Sequence, residues 1–412
     1  MGGTERLVVG GSSKKEGIAW LVAPGLSLIA VTYGLARFGY GLFLPDMREA
    51  FDLSPSLLGV IGAGSYLGYC VAVVLALLYT TRTGPRLMAV AAGAVAVVGM
   101  AVVASAPAAW VLALGILLAG SSTGLASPPM GEAVEHSIWK GLQDRANALI
   151  NCGTSVGVAL SGPTALLLTG QWRIAWAVFA LVGLAVLTWN AAVMPRGAVA
   201  SRGAREGSGA DDRDGTGSSG GSRSLAYLVD VRVRARSMPL FLAAFGVGFA
   251  SAVYWSFSRD LVVQAGDIGQ TGSTLFWMVI GVAGLAGGAA GDLVRRFGLS
   301  VVLRGALFSM AVSIALLAVA PGVLPLAYAS AALFGSTYIM LTGVVLVWSV
   351  NIFRERPSAG LGAGFLVIAV GQVAGSPTAG TLAGVTSLPV AFFAFALVAV
   401  LTALTRPVPR EY

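Results

Sequence analysis

The chain has 412 residues, of which 56% are hydrophobic and only 11% are charged. A soluble domain carries about 25% charged residues, so these proportions exclude an ordinary soluble protein and predict a polytopic membrane protein. The sequence shows no phosphate-binding glycine loop, no cluster of metal ligands and no paired nucleophile and base. We therefore expect neither an enzyme nor a bound cofactor or metal.

Twelve apolar stretches follow one another along the chain. Each has about twenty residues, which in a helix is enough to cross a hydrocarbon core of about 30 Å. They cover residues 18–45, 56–80, 87–105, 110–130, 148–169, 174–194, 239–258, 273–290, 301–320, 325–350, 361–382 and 388–404. We predict an all-α membrane protein and number the predicted helices 1 to 12 in this order.

A polar segment divides the twelve predicted helices into two sets of six. Residues 195–238 are rich in Gly, Ser, Asp and Arg, a composition that cannot bury enough apolar surface to fold alone. We predict a flexible cytoplasmic linker there, between an amino-terminal bundle at 18–194 and a carboxy-terminal bundle at 239–405. Residues 1–17 and 406–412 are predicted to be cytoplasmic tails.

The basic residues are distributed unevenly about the predicted helices. Of the 26 Lys and Arg residues, 22 lie on the side shared by both termini, Arg37 lies within the membrane, and Arg48, Arg173 and Arg259 lie on the opposite side. Cytoplasmic loops carry the excess of Lys and Arg, so we predict a multi-pass cell-membrane protein with both termini in the cytoplasm. The same bias explains the net charge of +8 without a nucleic-acid partner.

The two predicted bundles repeat each other in sequence at a constant offset of 214 residues. Matches occur at all six helix positions, among them Gly34 with Gly248, Tyr40 with Tyr254, Asp46 with Asp260, and Pro163 with Pro377. Parallel six-helix repeats, with a substrate bound between them near the bilayer midplane, are typical of a transporter architecture.

The loops after predicted helices 2 and 8 carry related motifs. The second is Gly291-Asp292-Leu293-Val294-Arg295-Arg296-Phe297-Gly298, and the first has Thr81 where an acid is expected. With the twelve spans, the repeat and the central linker, these motifs resemble the major facilitator superfamily. The resemblance implies two pseudo-symmetric six-helix bundles that transport by alternating access. It also implies cytoplasmic gating by Arg82, Gly84, Asp292, Arg296 and Gly298.

Arg37 is the ionised side chain within predicted helix 1. An arginine at that depth costs roughly 3 to more than 10 kcal/mol, which indicates a function. Its planar fork suits a carboxylate or phosphate. Tyr33 and Tyr40 are predicted to share its helix face and its ligand; a structural arginine bonded to backbone carbonyls is the alternative. The segment 37–41, followed by Leu44-Pro45, is similar to a bacterial branch of that superfamily whose members mostly have unassigned substrates.

Other polar and aromatic residues fall on helices that line the cavity in the resembled fold. Tyr66 and Tyr69 give helix 2 a polar character but are not placed in the binding site. Substrate contacts are predicted from Asn151, Tyr254, Trp255, Trp277, Tyr338 and Gln372. The alternatives are packing for the aromatic residues, a helix contact for Gln372 and a gate contact for Asn151. Close helix approach and hinge roles are predicted for Gly157, Pro163, Gly371 and Pro377.

Two acidic residues, Asp46 and Asp260, occupy equivalent outer ends of predicted helices 1 and 7. We favour solvated loop carboxylates for both, with contacts of an outer gate as the alternative. The apolar stretches place no carboxylate at mid-membrane depth, so a coupled proton would have to travel on a peripheral acid or on the substrate itself.

These features together predict a secondary active transporter of a small organic solute, preferably an anion, coupled to protons. Two alternatives stay open. One is a proton-driven efflux pump for drugs or secondary metabolites, favoured by the aromatic residues and the Gly/Pro run of helix 5. The other is a membrane sensor that reuses the scaffold. The expected partners are the small-molecule substrate, protons or another ion, and the lipid bilayer, with the protein as a monomer.

Overall fold

The computed structural model describes residues 13–194, 231–353 and 357–405, and these ranges are built from helices without any strand. Most of the predicted linker, residues 1–12 of the predicted amino-terminal tail and the whole predicted tail 406–412 lie outside the described residues. Residues 13–17, also assigned to the first tail, are helical and belong to the first span. The last eight residues assigned to the linker, 231–238, are helical and belong to the span that follows.

The amino-terminal half contains six spans, labelled α1 to α6. The first, α1, consists of Ser13–Ile29, a π-helical segment Ala30–Arg37, and Gly39–Phe51. The others are α2 (Pro55–Thr83), α3 (Pro85–Ala104), α4 (Ala109–Ser137), α5 (Lys140–Asn151 with Gly153–Leu167) and α6 (Trp172–Val193).

The carboxy-terminal half repeats this arrangement. Its spans are α7 (Val231–Gln264), α8 (Gln270–Gly284, the 3-10 turn Leu285–Ala289, and Ala290–Phe297), α9 (Leu299–Val319), α10 (Leu324–Ile352), α11 (Pro357–Val385) and α12 (Leu388–Thr402). Ten of the spans in the described ranges are long and apolar enough to cross a membrane; α12 is shorter and α5 is divided at Cys152. The predicted all-α, twelve-span fold is confirmed.

Several spans continue beyond their predicted ends. Two of them, α4 and α8, each run seven residues further, to Ser137 and Phe297. For α1 and α7 the sequence places the ends at residues 45 and 258, whereas they lie at Phe51 and Gln264. The apolar pattern stops early because charged residues follow it. These residues neutralise one another across the two helices, so the helices do not need to end. Among the charged residues expected outside the spans, Asp46, Arg48, Arg259 and Asp260 therefore lie inside helices.

Glycine contacts build the same helix crossing twice, once in each half. A Cβ atom on Gly34 of α1 would overlap the backbone of Gly157 on α5, and one on Gly371 of α11 would overlap the carbonyl of Phe245 on α7. Small residues at such crossings let two backbones touch. The predicted close approach at Gly157 and Gly371 is therefore present.

The two halves meet along three helix pairs, α2 with α11, α5 with α8, and α1 with α7. Glycines again make the contacts tight, since Gly380 faces the backbone of Pro55 and Gly281 faces that of Ala159. By contrast, α3 packs on α6 and α9 on α12 within their own halves. Large apolar side chains on these peripheral helices, such as Leu181 and Leu401, are exposed, as a lipid-facing surface requires.

Candidate functional site

A π-helical turn widens α1 directly before Arg37. The amide of Phe38 donates to the carbonyl of Tyr33 at 3.0 Å, five residues back instead of four. The turn sits where Gly34 lies against Gly157 of α5. Because π-helical turns occur frequently at functional sites, this local geometry singles out the same position as the charge of Arg37.

The side chain of Arg37 is buried between the two halves, and only 6% of the residue is exposed. Its Nη2 donates to Oε1 of Gln372 on α11 at 2.7 Å, while its Nε has no hydrogen-bond partner among the described residues. No carboxylate in these ranges forms an ion pair with Arg37. The guanidinium therefore carries a positive charge that its neutral partners do not cancel.

Four aromatic rings surround the guanidinium of Arg37. Its Cζ lies 4.8 Å from the ring centroids of Tyr66 and Tyr69 on α2, and 5.6 Å from those of Tyr33 and Phe38 on α1. Each ring face attracts a cation by roughly 0.5–2 kcal/mol. We call these four residues the ring box, and it offsets part of the cost of burying the charge.

Three members of the ring box were not predicted as binding residues. Tyr66 and Tyr69 are three residues apart on α2 and so share one helix face, a signal that the sequence does carry. What the sequence does not contain is the direction of that face, because it depends on how α2 crosses α1. Phe38 gives no signal of its own beside so many apolar neighbours.

Gln372 links Arg37 to the carboxy-terminal half. It is completely buried, and its Nε2 donates to the hydroxyl of Tyr338 on α10 at 3.3 Å. On the other side of the guanidinium, the hydroxyl of Tyr33 shares a hydrogen bond of 2.8 Å with Ser127 of α4. Four predicted residues, Tyr33, Arg37, Tyr338 and Gln372, thus lie together and join helices of both halves.

An aromatic group of the carboxy-terminal half lies next to the ring box. Trp255 stacks on Phe38 with centroids 3.9 Å apart and meets Tyr338 and Trp277 edge to face at 5.2 and 5.9 Å. The indole Nε1 atoms of both tryptophans are buried without a partner in the described ranges. The structure therefore brings Trp255, Trp277 and Tyr338 to the site, and their contact with a substrate stays a prediction.

Tyr254 points elsewhere. Its ring stacks on Phe334 at 3.8 Å and its hydroxyl shares a 2.7 Å hydrogen bond with Ser330, both on α10. These contacts lie within the carboxy-terminal half, so Tyr254 occupies a packing position rather than a place beside Arg37.

Tyr40 and Asn151 are also placed apart from the predicted site. The hydroxyl of Tyr40 donates to the carbonyl of Leu58 on α2 at 2.8 Å, so it is not directed at the ligand of Arg37. This backbone bond to α2 holds the hydroxyl of Tyr40, whereas Tyr33 stays beside Arg37. Asn151 is exposed, and its neighbour Ile150 contacts α1 at Gly25, about 18 Å of helix before Arg37.

Two ion pairs join the ends of α1 and α7. We call this side of the molecule outer, following the predicted orientation. Arg48 pairs with Asp260, and Arg259 with Asp46, both at 3.0 Å. Arg259 and Asp260 are fully buried. The favoured expectation of solvated loop carboxylates is therefore wrong, since each acid faces an arginine of the other half.

Further hydrogen bonds hold these charges in place. Gln264 donates to Asp260 at 2.6 Å, and the Nε of Arg259 donates to the hydroxyl of Ser273 at 3.3 Å. Arg259 also donates from Nη1 to the carbonyl of Leu42 on α1. Buried charges persist only when paired and hydrogen-bonded in this way.

The predicted cytoplasmic gate residues lie at the ends of α2 and α8. Gly84 and Gly298, equivalent in the repeat, both have φ above 80°, a conformation that favours glycine. Asp292 pairs with Arg295 on its own helix, and Arg296 lies 5.2 Å from the ring of Phe297. The side chain of Arg82 falls outside the described part of the structure. Gating by Arg82, Gly84, Asp292, Arg296 and Gly298 stays a prediction.

The remaining predicted residues concern hinges and metals. Pro163 lies inside α5 and Pro377 inside α11, at equivalent positions of the two halves. Hinge motion at these prolines and at Gly157 and Gly371 stays a prediction. Among the described residues, no group of three or more His, Cys, Asp or Glu side chains is placed to hold a metal ion.

Comparisons with known proteins add a family and two structural neighbours. A family model described as Major Facilitator Superfamily matches residues 26–365. A mutant of the nucleoside transporter NupG is similar with a TM-score of 0.72 at 12% sequence identity, over 93% of this chain and 98% of that one. A D-xylose–proton symporter is similar with a TM-score of 0.73 at 16% identity, over 95% and 97%. No curated protein matches the chain in sequence. At such identities the two likenesses concern the fold alone.

Proposed function

The chain belongs to the major facilitator superfamily, and we propose that it is a secondary active transporter for a small organic anion. The observation that supports an anionic substrate is Arg37, a buried cation without an acidic partner among the described residues. Charges at such depth are expensive and are functional by default. A bound anion would supply the countercharge that the ring box and Gln372, being neutral, do not provide.

The surroundings of Arg37 favour a monovalent anion that contains an aromatic ring. One guanidinium balances one carboxylate and binds it through two parallel hydrogen bonds. Trp255, Trp277 and Tyr338 supply aromatic faces and edges beside the ring box. The unpartnered indole N–H groups of the two tryptophans are pure donors, and they suit a ligand rich in acceptor atoms.

Movement between the halves would present this site to each side of the membrane in turn. The outer ends of α1 and α7 are held by two ion pairs, each with one buried partner, so the outer side opens only when these pairs separate. We place the protein in the cell membrane with both termini in the cytoplasm, because the excess of Lys and Arg lies on the side of the termini.

Coupling to protons is part of the proposal. Asp260 is a fully buried carboxylate that faces Arg48 and Gln264, with Arg259 beside it. When the outer side opens, Asp260 loses its partner from the other half, and binding a proton would remove the unpaired charge. The substrate itself is the other candidate carrier of the proton.

Efflux of aromatic drugs or secondary metabolites is a second candidate. It is favoured by the aromatic group, in which Trp255 stacks on Phe38 and meets both Trp277 and Tyr338. Such rings stack on flat apolar solutes and attract lipophilic cations. Arg37 argues against cations, because it would repel them from the centre of the site.

Transport into proteoliposomes tests the proposed function. We expect counterflow of benzoate and related monocarboxylates by the purified protein, and none of lipophilic cations. Arg37→Lys keeps the charge but loses the bidentate fork, and Arg37→Gln loses both. We expect apparent affinity to fall about 10-fold in the first and more than 100-fold in the second.

The matched control is Arg304→Gln, which changes an exposed arginine in the first turns of α9 and should leave counterflow unchanged. Exchange of cations alone would overturn the anion proposal and favour efflux. Near-normal counterflow by Arg37→Gln would show that the arginine has only a structural role.

A further inference from the structure

The bond between Arg37 and Gln372 uses one half of a two-pronged binding surface. On a guanidinium, Nε–H and Nη2–H point in the same direction and together bind both oxygens of a carboxylate. Here Oε1 of Gln372 accepts from Nη2 at 2.7 Å, and the buried Nε–H has no partner among the described residues. An anion that bound both nitrogens would therefore compete with Gln372 for Nη2.

The orientation of the Gln372 amide is fixed by its two partners. An arginine only donates hydrogen bonds, so the group facing Nη2 must be the amide oxygen. The amide nitrogen then faces the hydroxyl of Tyr338, to which it donates at 3.3 Å. Gln372 thus presents an oxygen where a carboxylate oxygen would bind, but it brings no negative charge.

The sequence repeat marks both members of this bond as exceptions. At the offset of 214 residues, Arg37 corresponds to Ser251 and Gln372 to Val158. Ser251 donates to the carbonyl of Gly248 on its own helix, and Val158 is a buried apolar residue. The polar bond between the halves therefore has no counterpart at the equivalent place in the repeat.

We propose that Gln372 is an internal substitute for the substrate. While no anion is bound, it holds Arg37 and lowers the cost of moving an unpaired buried charge through the closed intermediate. An arriving anion binds both prongs and displaces the amide, because a charged acceptor bonds a guanidinium more strongly than a neutral one. The empty carrier can then return, and the protein performs net transport as well as exchange.

This inference rests on the proposed function, since it requires an anion to bind at Arg37. It also explains why an amide suits this position. A carboxylate at residue 372 would form a permanent ion pair with Arg37 and compete with the substrate. A side chain without an acceptor would leave the charge unpaired during every empty return.

The test compares two fluxes of radiolabelled benzoate through the full-length protein in proteoliposomes. Exchange is measured with benzoate on both sides, and net flux with benzoate on one side only. For Gln372→Ala we expect the ratio of net flux to exchange to fall at least about tenfold. This fall corresponds to the loss of one hydrogen bond to a charged group. Gln171→Ala, at an exposed glutamine before α6, is the matched control and should keep the wild-type ratio.

A second variant tests whether a negative charge at residue 372 competes with the substrate for Arg37. Gln372→Glu should suppress both fluxes at neutral pH and regain exchange in acid, when the added carboxyl group is protonated. If Gln372→Ala keeps the wild-type ratio, the inference is overturned while transport by Arg37 stands. Loss of both fluxes in a Gln372→Ala protein that melts at the wild-type temperature also overturns it. If the wild type transports benzoate in neither assay, the proposed function is wrong, and so is the inference that rests on it.

Discussion

The tyrosines of α2 supply the ring faces nearest to the buried charge of Arg37. A guanidinium bonded only to a neutral amide would pay most of its dehydration cost without compensation. Tyr66 and Tyr69 place two ring faces at 4.8 Å from Cζ, nearer than the rings of Tyr33 and Phe38 at 5.6 Å. The cation–π contribution should therefore come mainly from α2.

A substitution at Tyr66 tests this contribution. Tyr66→Leu removes the ring and should weaken binding of benzoate about 2- to 30-fold, the range that corresponds to one cation–π contact. Tyr66→Phe keeps the ring and should bind nearly as the wild type does. The measurement is equilibrium binding to purified protein by isothermal titration calorimetry.

The control for Tyr66→Leu is Tyr79→Leu, because Tyr79 is an exposed tyrosine on the same helix. It should leave affinity unchanged. Equal weakening by Tyr66→Leu and Tyr66→Phe would instead assign the effect to the hydroxyl, and the cation–π interpretation would be wrong.

The residues that the sequence identified at the site are those with an unusual chemical character for an apolar helix. Arg37 and Gln372 are conspicuous because an ionised or amide side chain within a span needs a partner. Tyr40 was misplaced because its hydroxyl bonds to a backbone carbonyl of α2, and its own residue type does not record that contact. The ring box depends on the crossing of α1 and α2, which only the folded chain defines.

At the scale of helices, apolar periodicity located the spans but not all their ends. The predicted ends of α1 and α7 fall six residues short, because hydropathy treats charged residues as solvated. Asp46 and Arg259 neutralise each other between the two helices, so charge there does not mark a loop. Pairing between distant residues is a tertiary property, and one sequence shows only the separate charges.

The contact between α5 and α8 gives a prediction at this scale. Gly281 of α8 lies against the backbone of Ala159, where a Cβ atom has no room. Gly281→Ala should separate the two helices, lower the melting temperature by a few degrees and slow counterflow, because overpacking costs about 1–3 kcal/mol. Thermal unfolding and transport assays measure both effects.

Gly305 of α9 provides the comparison, since a Cβ atom there meets nothing within 4 Å. Gly305→Ala should leave transport unchanged and stability equal or slightly higher, as expected for alanine in a helix. If both substitutions behave alike, close packing between α5 and α8 is not required for function.

On the scale of the whole molecule, two similar halves are joined by equivalent helix pairs but by unlike ion pairs. Within each half, helices cross at equivalent glycines, Gly157 and Gly371. The helix pairs between the halves follow the repeat, since α2 with α11 is the equivalent of α8 with α5. The ion pairs do not, since the equivalents of Arg48 and Arg259 are Val262 and Pro45. Each half thus contributes its own arginine to the other half's acid.

The outer ion pairs should control how often the outer side opens. Asp260→Asn removes the charge that holds Arg48, so the outer ends of α1 and α7 should separate more readily. In a background with Cys70 and Cys152 replaced by serine, Ser376→Cys reports the opening, because Ser376 is buried against Gly59 of α2. We expect a membrane-impermeant maleimide to label this cysteine at least about tenfold faster in Asp260→Asn.

Two further variants identify the cause of faster labelling. Asp267→Asn, at an exposed acid just after α7, should not change the rate. Arg48→Asp combined with Asp260→Arg restores opposite charges across the two helices and should return labelling towards the wild-type rate, whereas Arg48→Asp alone should not. If the exchanged pair labels as fast as Asp260→Asn, the charges do not close the outer side, and closure must come from the backbone contacts of α2 with α11.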